Sequence, residues 1–296
     1  ATGTGARLQL SHFASRPNAT DSARHAALAS LDAALSRGEP IGVDTFPEVW
    51  GPALLIDLVP PWVLEGEPLD VLARLTTAVV RDLVESEIEA EPRFLALIAG
   101  YAEIYITSTP SGAIAPGTSI TALAEQRRTS IPAAILDALL EAGPNFRGVA
   151  IRHVYATSDD LATVLGLACC SIASDGVVTT GEGPECTLCW SASAYGYTAR
   201  TIEHFVRGTG FFTLAEAVRR MTSLPASQLG LSDRGTLAVG AHADLVVFDP
   251  ARVHDHSTPD DMARHPTGID YVLVNGRVAV SPDGTLGGRH GRLLHP

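Results

Sequence analysis

Lysine is missing altogether: all 21 residues counted as Lys+Arg are arginine. That excludes a Schiff-base lysine, a P-loop lysine and a carbamylated lysine as catalytic or metal-bridging groups. Cysteine is scarce and confined to one stretch, at 169, 170, 186 and 189, unlike the spread framework of a disulfide-stapled secreted domain. A reducing, cytoplasmic setting is therefore expected. Positive charge is also short. With 33 Asp+Glu the net charge is −12 and the pI about 5.2, and no basic stripe is visible. Nucleic acid and anionic membrane are thus excluded as expected partners. No apolar run approaches the roughly 18 residues of a membrane span, and the first residues offer no basic-then-apolar signal segment. The 296 residues are 46% hydrophobic and only 18% charged, enough for a sizeable core and too apolar for disorder.

The chain opens without Met in a Gly/Thr/Ala stretch that runs into an apolar segment, which reads as the middle of a domain. Arg7-Leu-Gln-Leu-Ser-His12 reads as a strand ending in His, 22–37 as an amphipathic helix closed by Gly38, and Pro40-Ile-Gly-Val-Asp-Thr45 as the next strand. Strand, helix, strand with short joins is the pattern of a βαβ unit and a parallel sheet. From 46 to about 140 the pattern is irregular and reads as an insertion: a helix near 68–90, an apolar strand near 94–99, and helices near 119–127 and 132–142. The βα alternation is expected to resume with a strand at 148–155, a helix at 158–167 and a strand at 169–175. Helices follow at 198–208 and 214–221, the second capped by Thr213. From 232 onward the style is antiparallel, with a strand at 243–249 and a hairpin at 271–280 turned by Asn275-Gly276.

In a parallel α/β barrel the chemistry sits at the C-terminal ends of the strands. His12 and Asp175 fall at such ends. An imidazole and a carboxylate there suit a divalent metal and its water, with the carboxylate as ligand and proton acceptor. Asp44, at the end of the second strand, and His153, near the end of its own, are weaker candidates. Cys186-x-x-Cys189 is a weak metal or redox candidate, since Cys169 and Cys170 point to opposite faces of a strand and cannot both join it. His254-Asp-His256 reads as a solvated loop pair, and His204 as structural.

Gln9-Leu-Ser-His12, Asp44 with Phe46-Pro47 behind it, Ser174-Asp-Gly176 and Ala194-Tyr-Gly196 follow one another in an order that carries a resemblance. It continues through Leu214-Ala-Glu-Ala-Val218, Met221-Thr-Ser-Leu-Pro-Ala226, Asp233-Arg-Gly235, 241–250 and 268–276. Together these segments resemble the second half of the N-acyl-D-amino-acid deacylases, the D-aminoacylases of the amidohydrolase superfamily. The resemblance implies an α/β fold, the C-terminal part of a TIM-type (β/α)8 metal-dependent hydrolase barrel, at 1–231. The C-terminal strands of a small β-sandwich would occupy 232–296. It further implies one or two divalent metals, zinc foremost. His12 would be a metal ligand on the fifth barrel strand, and Asp175 the catalytic, metal-contacting Asp after the eighth. The implied substrate is a small N-acyl amino acid, hydrolysed at its amide.

Ser191-Ala-Ser193 stands where such enzymes tend to have His-Pro-Arg, whose Arg grips the substrate carboxylate. Tyr195, Arg200 and Arg152 are the remaining candidates for substrate binding. The first-strand His-x-His of the family has no counterpart at the expected place. A second polypeptide carrying the N-terminal half of the barrel is therefore an expected partner. The alternative expectation is a non-catalytic subunit.

Overall fold

In the computed structural model, residues 5–14, 19–90, 100–176, 191–259 and 261–294 are described. Strand β1 (Leu8–Leu10), helix α1 (Asp21–Ser36) and strand β2 (Ile41–Thr45) form the expected βαβ unit, with β1 and β2 parallel and Leu8 opposite Ile41. Thr20 opens α1 by accepting a hydrogen bond from the Ala23 amide, and Gly38 relieves the turn behind it with φ +75°.

The chain then leaves this sheet. Strands β3 (Trp50–Leu54), β4 (Ile104–Ser108) and β5 (Ala150–Val154) build a separate antiparallel sheet in the order β3-β5-β4. Helices α2 (Pro68–Thr76), α3 (Ala78–Ala90), α4 (Ile120–Arg127) and α5 (Ile131–Glu141) accompany it. Leu55, Leu75, Val84, Ile106, Leu136 and Ile151 sit in the shared core of this body. Two sequence expectations are corrected here. The segment near 68–90 is two helices broken at Thr77, not one. The strand expected to resume the βα alternation at 148–155 is β5, and both of its edges are taken by antiparallel partners, so it has no hydrogen-bonding edge left for the parallel sheet. The strand expected near 94–99 lies outside the described residues.

Helix α6 (Ser158–Leu165), capped by Thr157, leads to β6 (Cys170–Ile172), which pairs parallel with β2. The parallel sheet is thus β1-β2-β6, with β1 and β6 as its edges among the described residues. Its two faces differ because strand side chains alternate. Val43 and Cys170 pack with Leu31 of α1 and Val164 of α6. Gly42, Asp44 and Ser171 take the opposite face, with Gln9 beside them.

Helix α7 (Ser193–Arg200) continues without a break into a π-helical segment, Thr201–Gly208, before α8 (Leu214–Met221) and α9 (Ser223–Gln228). Arg220 of α8 is buried and donates to the carbonyls of Leu167 and Cys170, which pins the entry to β6. The last unit is a four-stranded antiparallel sheet ordered β10-β9-β8-β7: β7 (Leu245–Phe248), β8 (Ile269–Val274), β9 (Arg277–Ser281) and β10 (Gly284–Thr285). Asn275 and Gly276 turn β8 into β9 with positive φ at both, as the sequence predicts. Val246, Val247 and Tyr271 remain exposed, and neighbouring β7 residues point to opposite faces, so neither face of this sheet is fully covered.

Candidate active site at the ends of the parallel strands

The turn leaving β1 and the loop leaving β6 bring His12 and Asp175 together across β2. His12 Nε2 lies 3.0 Å from Asp175 Oδ1. Both residues take left-handed backbone, φ +51° and +48°, a conformation that costs a non-glycine residue energy and survives only where its surroundings fix it.

The fixing group at His12 is Asp44. Its Oδ1 accepts from the His12 amide at 3.1 Å and from Ser11 Oγ at 2.9 Å, and its Oδ2 accepts from Gln9 Nε2 at 2.6 Å. The Asp44 carbonyl also accepts from the Phe13 amide. At Asp175 the loop is tightened by Ser174 Oγ, which accepts from the Gly176 amide. Phe46, three residues beyond β2's Val43, sets its ring edge-on to the His12 imidazole at 6.0 Å and packs on Tyr155. Partial burial raises the Asp175 pKa above the ordinary carboxylate range; the nearby His12 opposes this and the Asp44 charge adds to it.

Donor chemistry and spacing both fit zinc. Imidazole nitrogen and carboxylate oxygen are its usual ligands, and neighbouring ligands in a tetrahedral shell lie about 3.3 Å apart. The number does not suffice: a catalytic zinc takes three protein ligands, and no group of three His, Cys, Asp or Glu able to hold a metal occurs among the described residues. Asp44, on the strand between them, accepts hydrogen bonds at both of its carboxylate oxygens.

Arg152 lies over the rings of Trp50 and Tyr105, which meet each other edge-on, on the antiparallel sheet. His153, also on β5, is buried with Nδ1 3.1 Å from the Val154 carbonyl. Tyr195 meets His265 edge-on at 5.0 Å. Arg200 lies 3.5 Å from Asp255, in an open cleft of about 560 Å³ shared with Glu203, His204 and Arg207. His254, expected to be merely solvated, bonds through Nδ1 to Glu203 at 2.6 Å and so helps dock the last unit on the π-helical segment. Cys186 and Cys189 lie outside the described residues.

Glu48 and Ser193 form a pair that sequence reasoning missed. Ser193 Oγ donates to Glu48 Oε1 at 2.7 Å, and burial raises the Glu48 pKa, partly offset by the Ser193 bond and Arg200. Ser193 is followed by Ala194, which lies so close to Gly176 that a Cβ there would come within 2.6 Å of it. The pair is therefore near the Asp175 loop. Its sequence signals are that Glu48 follows Phe46-Pro47 and that Ser193 closes the Ser191-Ala-Ser193 stretch.

Known proteins share sequence and fold with this chain. Residues 173–280 match the amidohydrolase family. The N-acyl-D-glutamate deacylase of Alcaligenes xylosoxydans xylosoxydans is 43% identical over 126 residues, which are 43% of this chain and 24% of that protein. The D-aminoacylase of the same organism is 37% identical over 135 residues, 46% of this chain and 26% of its own. Among solved structures, the N-acyl-D-glutamate deacylase of Bordetella bronchiseptica, complexed with zinc and a phosphonate mimic of the tetrahedral intermediate, superposes with a TM-score of 0.71 at 26% identity. It is matched over 99% of this chain and 50% of its own. The chain thus resembles the deacylases of the amidohydrolase family over nearly its whole length, while spanning about half the length of that solved relative and about a quarter of each curated one.

Proposed function

We propose that this chain is the C-terminal half of a metal-dependent amidohydrolase that cleaves the amide of an N-acyl amino acid, releasing a carboxylate and a free amino acid. The chain acts only when the remaining barrel strands and metal donors are supplied, by a preceding part of the same polypeptide or by a second one. The observation that carries this reading is the His12–Asp175 pair at 3.0 Å at the ends of two parallel strands flanking β2. The half-length match to a zinc-containing deacylase supports it. So do the two edges of the parallel sheet, unpaired among the described residues, and the partly uncovered four-stranded sheet, since an isolated half-barrel leaves such groups unsatisfied.

His12 and Asp175 would hold one side of the metal. When bound, a divalent metal supplies Lewis-acid polarisation of the acyl carbonyl and an acidified water. The work of this chain's own residues is proton transfer. Asp175 takes the proton from the attacking water and delivers it to the nitrogen of the leaving amine. Phe46 sets its ring edge-on to the His12 imidazole and so shields one side of it.

A second reading, a non-catalytic subunit, draws on the incomplete donor set among the described residues. Metal content and hydrolysis of N-acetyl-D-amino acids, measured on the chain with its complementing half, separate the two. Zinc with activity supports the enzyme, and a folded complex with neither supports the subunit.

A further inference from the structure

Asp44 collects more of the site than any ligand role requires. It receives the amide of His12, the hydroxyl of Ser11 and the amide group of Gln9 on one buried carboxylate, while its own carbonyl takes the Phe13 amide. The Ser11, His12 and Phe13 links close the turn that throws His12 into left-handed backbone, and the Gln9 link ties β1 to β2 just before it. The arrangement extends along the polar face of the sheet. Gln9 lies over Gly42, where a Cβ would come within 2.2 Å of Gln9 Oε1 and 2.7 Å of the Gln228 side chain. Gln228 accepts from Ser171, the register partner of Asp44, and donates to the Cys169 carbonyl.

We propose that Asp44 is a positioning residue: it holds the His12 turn so that the imidazole meets Asp175, and Gly42 leaves the room in which Gln9 braces it. This rests on the function proposed above, and it differs from the reading of Asp44 as a metal ligand in what an amide should do. Asn at 44 keeps an acceptor oxygen for Ser11 and the His12 amide, and Gln9 can turn its amide to present oxygen to the new NH2. Ala keeps nothing. Groups that orient a metal ligand typically cost about 10- to 100-fold in metal affinity or activity when removed.

The test uses the completed enzyme, with zinc content, kcat, KM and the amide signal of His12 in 1H–15N spectra. Asp44→Asn should stay within about threefold of wild type in kcat, retain full zinc and keep a downfield His12 amide. Asp44→Ala should lose about 10- to 100-fold in kcat at nearly unchanged KM and shift the His12 amide upfield. Gly42→Ala meets only side-chain ends that can swing away, so it should fold and show a milder loss of the same kind, which keeps the test open if Asp44→Ala does not fold. Asn and Ala variants equally depleted of zinc would overturn the proposal in favour of a ligand. So would an Ala variant indistinguishable from wild type. An inactive, metal-free wild-type complex would instead sink the proposed function itself.

Discussion

His12 and Asp175 meet side chain to side chain at 3.0 Å, yet neither strand that carries them is bonded to the other: β2 runs between β1 and β6. Each residue reaches over that strand from a left-handed backbone at the end of its own. Two strained turns converging on one contact are more than strand pairing demands, and strain of this kind clusters at functional sites.

Replacing Asp175 by Asn in the completed enzyme keeps the size of the side chain and removes its basicity. kcat should fall by about two to four orders of magnitude with the fold intact. Steady-state kinetics beside a circular dichroism spectrum check this, and unchanged turnover in the folded variant rejects the role.

Arg220 should matter for stability rather than chemistry. It is 4% exposed, donates to two carbonyls at the entry to β6 and pairs with Glu216. Arg220→Met removes both of these bonds and the pairing with Glu216, and should cost about 3 kcal/mol in urea unfolding.

The same cluster sets a pH dependence. Hydrogen bonds from Arg219 first, and then from Arg220, hold the Glu216 carboxyl down at about 2, below its ordinary value of 4.5. A depressed folded pKa means that the folded state favours the carboxylate, so this contribution is complete above about pH 4.5 and disappears as pH falls towards 2. Melting temperatures of wild type and Glu216→Gln should differ at pH 7 and converge near pH 2. A constant difference across that range contradicts the assignment.

Gly268 precedes β8 at φ +82°, and a Cβ there would come within 2.5 Å of the Arg252 backbone. Neither strain nor clash can be relieved by a side-chain movement. Gly268→Ala should therefore destabilise the four-stranded sheet and speed proteolysis of the 250–268 loop, whereas Gly284→Ala, with nothing within 4 Å, should suffer the backbone strain alone.

The sequence displayed the first βαβ unit and the Asn275-Gly276 hairpin because each rests on local signals: a cap, a period, a turn dipeptide. It also placed His12 and Asp175 at strand ends. It misled at β5, where Ala150–Val154 has the β-rich composition of any buried strand and only its long-range partners, β3 and β4, decide its sheet. Arg152 and Arg200 illustrate a second limit: the resemblance offered both as substrate contacts, and no local signal showed that one lies over the Trp50 and Tyr105 rings and the other 3.5 Å from Asp255. Gln9 and Ser11 were legible in principle, since two-residue spacing sets Ser11, just past β1, on the side of Gln9, and Asp44 accepts from both.

The most direct test of the account is zinc content and hydrolysis of N-acetyl-D-amino acids, measured on this chain alone and again after completion with an N-terminal half of a deacylase barrel. The account predicts neither property for the chain alone and both for the completed assembly, with both lost on His12→Ala. Metal-dependent hydrolysis by a preparation whose mass spectrum contains this chain and nothing else would contradict it.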